Sequence, residues 1–479
     1  MKEHRLIFSI LSVFLLFVVF AWGFFIGIIF FNEKKVNIFV NELHTEYSKN
    51  ETKHPNSTLH NRRIPPLLLL STISLIVNKK DFILADLSEK KLKFYKNGYE
   101  TKAYPILVSG KEGSWGETPA GFFDVLDKQN NHFSSLGQVY QPWNIRFWGN
   151  YSIHGWPYNP DGTLTSELER RFSSGCINLL TNDAKNLFSL VNAGFPILVT
   201  NKKLKNDEFD YSKFNYSTSS LRDVSANSYL VADLKSGFVF AEKSPDLILP
   251  IASVTKLMTA VVSSEYFLLS YKKEKMSAIT ITEEMLKPIG NIDEIVLGKN
   301  YTYFELLYPL LINSSNDAAQ ALAIEFRGNF INVMNKRAAS LEMKSTHFAD
   351  SFGYDENNVS TANDLYYLAR YLLSNRRWIL DISRGKIFNE FGGVSFKKLK
   401  NLNLFYKDPS FIGGKVGATL PAKKTGVFIF ELEINKEKRP IAVIVLGAED
   451  NKKDAEKILD WMKVNFGIIN NNLLNDKNL

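Results

Sequence analysis

The 479-residue sequence has a single cysteine, Cys176, so no internal disulfide can form and stability must come from packing. Its seven histidines are scattered, and neither an HExxH motif nor a paired-cysteine motif occurs, so we expect no metal site. The phosphate-binding pattern GxxxxGK[ST] is also missing, which argues against a nucleotide-dependent enzyme. We expect no cofactor and no nucleic-acid partner.

The remaining composition is that of an ordinary globular protein. The hydrophobic fraction of 45% and the charged fraction of 23% allow large buried cores, and the length suits two or three domains. The net charge of +8 is compatible with an anionic surface such as a membrane or a cell wall. A lysine-rich genome would give the same excess, so the charge alone identifies no partner.

One long apolar run occupies residues 6–31 (LIFSILSVFLLFVVFAWGFFIGIIFF). At about 1.5 Å per residue, a helix of this length crosses a hydrocarbon core of roughly 30 Å. The run is too long for the apolar part of a cleaved signal peptide, and no AxA-like site follows it. It predicts a transmembrane signal anchor, with residues 1–5 as a cytoplasmic tip. Basic residues flank both ends, so charge does not fix the orientation.

The rest of the chain divides by composition and periodicity. The predicted regions are a polar stalk (32–80), a β-rich domain (81–200), a linker (201–226), a domain with terminal strands around helices (227–466) and a tail (467–479). Within the stalk, the apolar residues 64–77 (IPPLLLLSTISLIV) fit either a first strand or a segment lying on a surface. We call residues 81–200 the cysteine domain and residues 227–466 the serine domain.

In the cysteine domain, Cys176 lies in residues 173–178 (SSGCIN), and His154 lies upstream in residues 151–155 (YSIHG). A thiolate is a competent nucleophile, and a nearby imidazole can generate it. Gly175 lets the backbone approach a substrate closely and can leave an N–H free for an oxyanion. A lone cysteine can equally be a small buried hydrophobe, so the surrounding motifs decide.

Further motifs accompany this pair in the order PILVSG (105–110), ETPAGFF (117–123), IHG (153–155) and SxGCIN. Together they resemble the L,D-transpeptidase (YkuD) catalytic domain, over about residues 81–200. The resemblance implies a mainly-β fold. It makes Cys176 the nucleophile, His154 the base, the backbone around Gly175 the oxyanion hole, and Ser173 and Asn178 substrate-binding positions.

The cysteine domain departs from the family pattern at two places. Ser174 stands where the family usually has histidine directly before Gly-Cys, which changes the electrostatics of the pocket. The stretch from His154 to Cys176 is also long, which predicts a larger loop over the cleft. Neither departure removes the pair of nucleophile and base.

In the serine domain, residues 251–256 (IASVTK) open a predicted helix in which Ser253 and Lys256 lie one turn apart on the same face. Such a serine is activated when burial lowers the proton affinity of the amine. The Ser-x-x-Lys pattern by itself is not specific, because residues 88–91 and 270–273 match it as well.

Two later motifs, SSN (314–316) and GKVGAT (414–419), have the order and spacing of penicillin-binding proteins and serine β-lactamases. The closest resemblance is to low-molecular-mass D-alanyl-D-alanine carboxypeptidases of the peptidase S11 type, over residues 227–466. It implies an α/β fold of the penicillin-binding and β-lactamase kind. Ser253 would be the acylated nucleophile, Lys256 its base and Ser314 a proton shuttle.

The same resemblance assigns three substrate contacts. Asn316 would bind the peptide amide, Lys415 would meet the terminal carboxylate, and Thr419 is a further candidate for carboxylate contact. A literal KTG occurs at Lys424, but only Lys415 has the family context Gly-x-Lys-x-Gly-x-Thr. Val416 then lacks the hydroxyl that a threonine would offer a substrate.

The two resemblances together imply a multidomain, membrane-anchored enzyme whose catalytic domains lie outside the cytoplasm. Its partners would be peptidoglycan stem peptides, with β-lactams as inhibitors. The cysteine domain would form 3-3 crosslinks, and the serine domain would act as a D-Ala-D-Ala carboxypeptidase. Alternatives for the serine domain are an endopeptidase, a β-lactamase, or a degenerate module that only binds peptidoglycan.

Overall fold

The computed structural model describes residues 62–166, 172–211, 219–266, 278–288, 295–326, 328–388, 396 and 398–466. From Arg63 onward, these residues belong to one compact unit. The expected anchor, cytoplasmic tip and tail, and most of the stalk, lie outside the described residues. Among the helices that are described, none is long and apolar enough to cross a membrane.

Residues 64–77, for which the sequence left two possibilities, lead into helix α1 (Leu69–Val77). Ile64, Leu67 and Leu68 just before the helix are buried in the core of the serine domain. The N–H of Leu68 donates to the carboxylate of Glu342 at 2.9 Å. A segment that precedes the cysteine domain in sequence therefore packs against the serine domain.

The cysteine domain contains two sheets and one helix in its described part. Its elements are β1 (Phe82–Asp86), β2 (Lys91–Lys96), β3 (Tyr99–Pro105), β4 (Gly121–Asp124), β5 (Asp127–Ser134), β6 (Val139–Trp148), β7 (Tyr151–His154), β8 (Ile177–Asn178), α2 (Thr181–Leu190) and β9 (Pro196–Thr200). The strand orders are β3-β2-β1-β9-β4 and β5-β6-β7-β8. Pairing is parallel between β1 and β9 and between β7 and β8, and antiparallel elsewhere. The expected mainly-β character is confirmed.

The serine domain surrounds an antiparallel sheet with helices, as expected for an α/β domain. Its described elements are β10 (Ser228–Asp233), β11 (Val239–Lys243), β12 (Leu249–Pro250), α3 (Lys256–Tyr266), β13 (Ala278–Thr280), β14 (Asn300–Thr302), α4 (Tyr303–Ile312), α5 (Asn316–Glu325), α6 (Phe330–Ser340), β15 (Val359–Ser360), α7 (Ala362–Asn375), α8 (Arg377–Arg384), β16 (Phe411–Thr419), β17 (Lys423–Ile434), β18 (Glu437–Ala448) and α9 (Asn451–Phe466). The main sheet has the order β11-β10-β18-β17-β16, so β16 is an edge strand. Helix α3 is buried from Lys256 to Glu265, because apolar residues occupy most of its surface.

The two domains share one of the hydrophobic clusters, although the cysteine domain also has an apolar cluster of its own that includes Ile83 and Ile153. Phe82, Ala120 and Leu198 of the cysteine domain are fully buried in the same apolar cluster as Leu230 and Leu257 of the serine domain. Apolar burial is worth roughly 25 cal/mol per Å², so a shared core opposes separation of the domains. The fold therefore couples the two domains mechanically.

The first described part of the expected linker, residues 201–211, packs against this unit. Leu204 and Tyr211 are buried. The Tyr211 hydroxyl donates to Asp233 at 2.7 Å, and Arg439 pairs with both Asp207 (2.7 Å) and Asp233 (2.5 Å). Buried ion pairs and aromatic packing hold these residues in place, so this stretch is not a free tether.

Candidate active sites

The parallel pairing of β7 with β8 brings the predicted cysteine-site residues together. The register places His154 opposite Asn178 and Ile153 opposite Ile177, and Cys176 directly precedes β8. Because side chains alternate along extended backbone, this register places Cys176 and Asn178 on the face that carries His154. Residues 22 positions apart in sequence thus converge on one face of the sheet.

His154 is oriented for a role as a base. Its side chain is buried, and Nδ1 lies 2.7 Å from the carbonyl oxygen of Gly155. Since a carbonyl can only accept, this hydrogen bond places a proton on Nδ1 and leaves the lone pair on Nε2. The neutral imidazole in this tautomer can accept a proton through Nε2.

Ser173 shapes the turn that carries the thiol. Its Oγ donates to the carbonyl oxygen of Cys176 at 2.5 Å and accepts from the N–H of Gly175 at 3.0 Å. The N–H of Gly175 is thus occupied by the Ser173 side chain, and the expectation that the backbone around Gly175 supplies the oxyanion hole stays a prediction. Cys176 itself is half-buried, with Sγ 3.7 Å from the carbonyl oxygen of Asn150.

Both the backbone conformation and the close packing of neighbouring atoms require glycine at position 175. Its φ is +114°, and a Cβ atom added there would lie 2.1 Å from Cε1 of Tyr151. Only a residue without a side chain fits this position between the turn and the Tyr151 ring. Asn178, behind the turn, is buried, and its backbone N–H donates to Val108 at 2.8 Å.

We expect Gly175→Ala to disrupt the cysteine site. The added methyl must displace the Tyr151 ring or the turn, and a shift of about 1 Å at a reacting atom can cost on the order of a hundredfold in rate. The matched control is Gly113→Ala, since Gly113 also has a positive φ (+75°) but has nothing within 4 Å of the added Cβ. Rates of Cys176 alkylation measure the effect. Equal rates for the two variants would contradict the packing argument.

In the serine domain, the structure gathers the predicted residues around one amine. Ser253 lies in a 3-10 turn (Ala252–Thr255) that leads directly into α3. The Lys256 Nζ contacts Ser253 Oγ at 2.9 Å, Asn316 Oδ1 at 2.8 Å and the Phe352 carbonyl at 2.5 Å. A serine hydroxyl thus lies within proton-transfer distance of a lysine amine.

Burial tunes this amine toward its neutral form. The pKa of Lys256 lies well below its usual value because the side chain is fully buried, and the nearby Lys415 ammonium lowers it further, although Asp350 opposes the shift. Burial also lowers the pKa of Lys415 to about 7. A neutral Lys256 amine has the lone pair that a general base requires.

The two candidate lysines of the KTG element lie in different environments. Lys415 on β16 is buried, and its Nζ donates to the Val416 carbonyl at 3.0 Å. Lys424 is exposed and lies 3.8 Å from the Asp450 carboxylate. Thr425, which follows Lys424, is buried and donates to the carbonyl of Ile251 at 3.0 Å. Thr425 of the KTG sequence at 424–426 therefore stabilises the segment that leads into the turn with Ser253.

The remaining predicted residues lie around the same turn or beyond it. A Cβ atom added at Gly417 would lie 2.8 Å from the backbone nitrogen of Ser253, so β16 passes close to the nucleophile. Thr419 lies at the end of β16, where its hydroxyl accepts from the N–H of Ala422 at 3.3 Å. Ser314 is half-buried and has a left-handed backbone (φ 66°) between α4 and α5.

Comparison with known proteins places both domains. Residues 215–450 match the family model of D-alanyl-D-alanine carboxypeptidases, and residues 80–199 match that of the L,D-transpeptidase catalytic domain. The D-alanyl-D-alanine endopeptidase of Escherichia coli (strain K12) is 34% identical over 258 residues, which cover 51% of this chain and 80% of that protein. The chain belongs to the D-alanyl-D-alanine carboxypeptidase family. It is an enzyme of the peptidoglycan-processing type.

Two further matches concern Mycobacterium tuberculosis. Its D-alanyl-D-alanine carboxypeptidase DacB2 is 31% identical over 211 residues, which cover 43% of this chain and 70% of that protein. A crystal structure of a D-alanyl-D-alanine carboxypeptidase from the same organism is 27% identical, with a TM-score of 0.44, and covers 52% of this chain and 95% of the other.

Motif reasoning missed a loop that completes the serine site of this carboxypeptidase-family chain. The Asp350 carboxylate accepts from the backbone N–H groups of residues 352–355 and folds them into a tight turn. That turn presents the Phe352 carbonyl to Lys256 and packs Gly353 (φ +83°) against the carbonyl of Ala252. The signal in the sequence was the aspartate of Asp-Ser-Phe-Gly (350–353), since aspartate side chains commonly accept hydrogen bonds from backbone N–H groups two residues on.

A second missed residue is Ser315, the middle member of the SSN motif. Its buried side chain accepts from the N–H of Ala318 at 3.1 Å and caps α5. The cap fixes the start of the helix that carries Asn316. In the described ranges, no cluster of three or more His, Cys, Asp or Glu side chains could hold a metal ion.

Proposed function

We propose that this chain is a two-headed peptidoglycan enzyme that acts on the extracytoplasmic side of a membrane. The observation that carries the serine half is the contact of the buried Lys256 amine with Ser253 and Asn316. The parallel register of β7 and β8, which pairs His154 with Asn178 two residues after Cys176, carries the cysteine half. Peptidoglycan lies outside the cytoplasm, so the expected anchor at residues 6–31 would hold both sites near it.

In the serine half, Ser253 Oγ attacks the carbonyl of the D-alanyl-D-alanine bond while Lys256 takes its proton. The C–N bond breaks, the terminal D-alanine leaves with a proton, and an acyl-serine remains, which water then hydrolyses. Asn316 binds the peptide amide, Ser314 relays the proton to the leaving amine, and the Lys415 ammonium attracts the terminal carboxylate.

In the cysteine half, His154 takes the thiol proton and Cys176 attacks the carbonyl of the third stem residue. The bond to the fourth residue breaks, D-alanine leaves, and a thioester forms. An amine from a neighbouring stem then attacks the thioester, releases the thiolate and forms a 3-3 crosslink. Ser173 and Asn178 fix the turn and the strand on which the thiol lies.

Fluorescent penicillin tests the serine half directly. We expect a stable label on the wild type and none on Ser253→Ala, because β-lactams acylate a serine activated in this way. Cys176→Ala is the matched control and should label like the wild type. Rapid hydrolysis of the drug would indicate a β-lactamase, and an unlabelled wild type would indicate a degenerate binding module.

A second candidate activity is endopeptidase cleavage of existing crosslinks. It is favoured by the E. coli relative, which is described as a D-alanyl-D-alanine endopeptidase and is 34% identical to this chain. Incubation with crosslinked stem dimers and with pentapeptide monomers separates the two activities. Release of D-alanine from the monomer indicates a carboxypeptidase, and cleavage of the dimer indicates an endopeptidase.

We expect substrate binding at the serine site to weaken as the pH rises through about 7. Lys415 has its pKa lowered to about 7, so it is charged below this pH and neutral above it. A charge-assisted hydrogen bond contributes about 1.5–3 kcal/mol, so KM for a pentapeptide should rise by about tenfold or more between pH 6 and pH 9.

Two variants control this experiment. Lys415→Arg should flatten the pH dependence of KM, because a guanidinium stays protonated. Lys424→Arg should leave it as in the wild type, since Lys424 is exposed and pairs with Asp450. A wild-type KM that stays constant over this range would show that the carboxylate is not bound by Lys415.

A further inference from the structure

The last turn of α3 carries a buried carboxylate at the contact between the two domains. Glu265 is fully buried and accepts from Arg337 at 2.9 Å, from the Tyr371 hydroxyl at 2.5 Å and from the indole N–H of Trp148 at 2.8 Å. Arg376 lies 3.6 Å away. Trp148 belongs to the cysteine domain and the others to the serine domain, so this carboxylate joins the two.

The β6–β7 turn of the cysteine domain lies on this end of α3. Trp148 ends β6, and its ring packs edge-on against Tyr266 with 5.3 Å between ring centroids. A Cβ atom added at Gly149 would lie 3.6 Å from both the Glu265 carbonyl and the Tyr266 ring. The serine domain therefore supports this turn through both a hydrogen bond and ring packing.

The same turn contacts the nucleophile loop. The Asn150 carbonyl lies 3.7 Å from Cys176 Sγ. The Tyr151 ring occupies the space that a side chain at Gly175 would need. Tyr151 is also the first residue of strand β7, which ends at His154. The pKa of Tyr151 is raised, chiefly by burial, and the charges that act on it include Arg376, Glu265 and Cys176. Tyr151 thus lies between the buried charges and the thiol.

A second set of hydrogen bonds connects the serine domain to a segment next to the cysteine turn. The Arg376 guanidinium donates to the Glu117 carbonyl at 3.1 Å, and Asn375 donates to the Glu117 carboxylate at 3.1 Å. The neighbouring Gly116 carbonyl lies 3.2 Å from where a Cβ of Gly175 would be. Residues at the junction of α7 and α8 therefore hold the segment that contacts the cysteine turn.

We propose that Glu265 is a positioning residue for Cys176, and that the serine domain forms the floor of the cysteine site. A carboxylate bound by three donors in a close-packed interior has little freedom, so it fixes the β6–β7 turn. That turn sets the position of the thiol relative to His154. The inference rests on the proposed role of Cys176 as a nucleophile.

The test uses the full-length chain and two variants that each remove one donor to Glu265. Trp148→Phe removes the indole N–H from the cysteine-domain side and keeps an aromatic ring. Tyr371→Phe removes the hydroxyl from the serine-domain side and serves as the matched control. Because the chain has one cysteine, iodoacetamide alkylation from pH 5 to pH 10 reports Cys176 alone.

We expect Trp148→Phe to shift the pH profile of alkylation and to lower kcat for 3-3 crosslinking by about tenfold or more, with KM unchanged. Tyr371→Phe should have a smaller effect on both, and both variants should label with fluorescent penicillin at the wild-type rate. If both lower Tm equally and leave the alkylation profile and kcat unchanged, the carboxylate has only a structural role and the proposal is overturned.

Two provisions keep the result decisive. If Trp148→Phe loses penicillin labelling and so the fold, a benzothienyl analogue of tryptophan at position 148 keeps the bicyclic shape and lacks the N–H. If the wild type forms no 3-3 crosslinks, the proposed transpeptidase activity fails, whereas the alkylation profiles still decide the positioning role. If the wild type crosslinks and no variant changes its profile, the positioning role alone fails.

Discussion

Cys176→Ala is expected to reduce 3-3 crosslinking of tetrapeptide stems to the uncatalysed level, a loss on the order of 10⁴-fold or more. The thiolate is the only group in the proposed reaction that can form the thioester, since this chain has no other cysteine. His154→Ala should lower the rate by about 10²- to 10⁴-fold, the usual contribution of a general base. Crosslinked products identified by mass spectrometry give the measurement.

The control for this pair is Ser253→Ala, which should crosslink supplied tetrapeptide at the wild-type rate. Ser253 lies near the start of α3, at the opposite end of the helix from the Glu265 carboxylate, and it takes no part in the thioester reaction. Retained penicillin labelling of Cys176→Ala and His154→Ala would show that their fold is intact. A chain without the thiol that still forms these crosslinks would refute the assignment.

Ser253→Ala is expected to abolish 3-3 crosslinking when the wall material contains only pentapeptide stems. A D,D-carboxypeptidase removes the terminal D-alanine of a pentapeptide, and the tetrapeptide it leaves is the acyl donor of an L,D-transpeptidase. Under the proposed function, the product of the serine site is thus the substrate of the cysteine site. Because one apolar cluster contains residues of both domains, the domains stay close together, which raises the effective concentration of tetrapeptide at the second site.

Supplied tetrapeptide should restore crosslinking by Ser253→Ala to the wild-type rate. Lys424→Arg, a change on the exposed side of the sheet, should crosslink pentapeptide material as the wild type does. Undiminished crosslinking by Ser253→Ala from pentapeptide alone would show that the two sites act independently. If the serine domain is an endopeptidase instead, the wild type itself should form no 3-3 crosslinks from pentapeptide alone.

The sequence predicted the two site constellations because their chemistry is encoded in short motifs. The spacing of Ser253 and Lys256 on a helix start places them within reach whatever the rest of the fold does. Cys176 and His154 needed the family resemblance, because only a strand register brings them together. The oxyanion hole expected from the backbone around Gly175 stays a prediction, and the hydrogen bond that Ser173 accepts from the Gly175 N–H could not be deduced from periodicity.

The relation between the domains could not be predicted. Glu265 and Trp148 are 117 positions apart, and neither lies in a recognisable motif. The stretch 201–211 has a polar composition typical of a linker, yet it is held by Tyr211 and by the pairing of Asp207 with Arg439. Contacts of this kind depend on long-range packing, which local composition does not encode.

The measurement that tests the two-headed mechanism most directly is the mass of the intact full-length chain after reaction with each acyl donor. Incubation with penicillin should add one acyl group, and proteolysis should map it to Ser253. Incubation with a tetrapeptide stem and no acceptor amine should add one stem acyl group, mapped to Cys176 and released by hydroxylamine as expected for a thioester. Two adducts on two different residues are the predicted result. A stem adduct on Ser253, or a chain that forms no stem adduct at all, would contradict a separate cysteine transpeptidase.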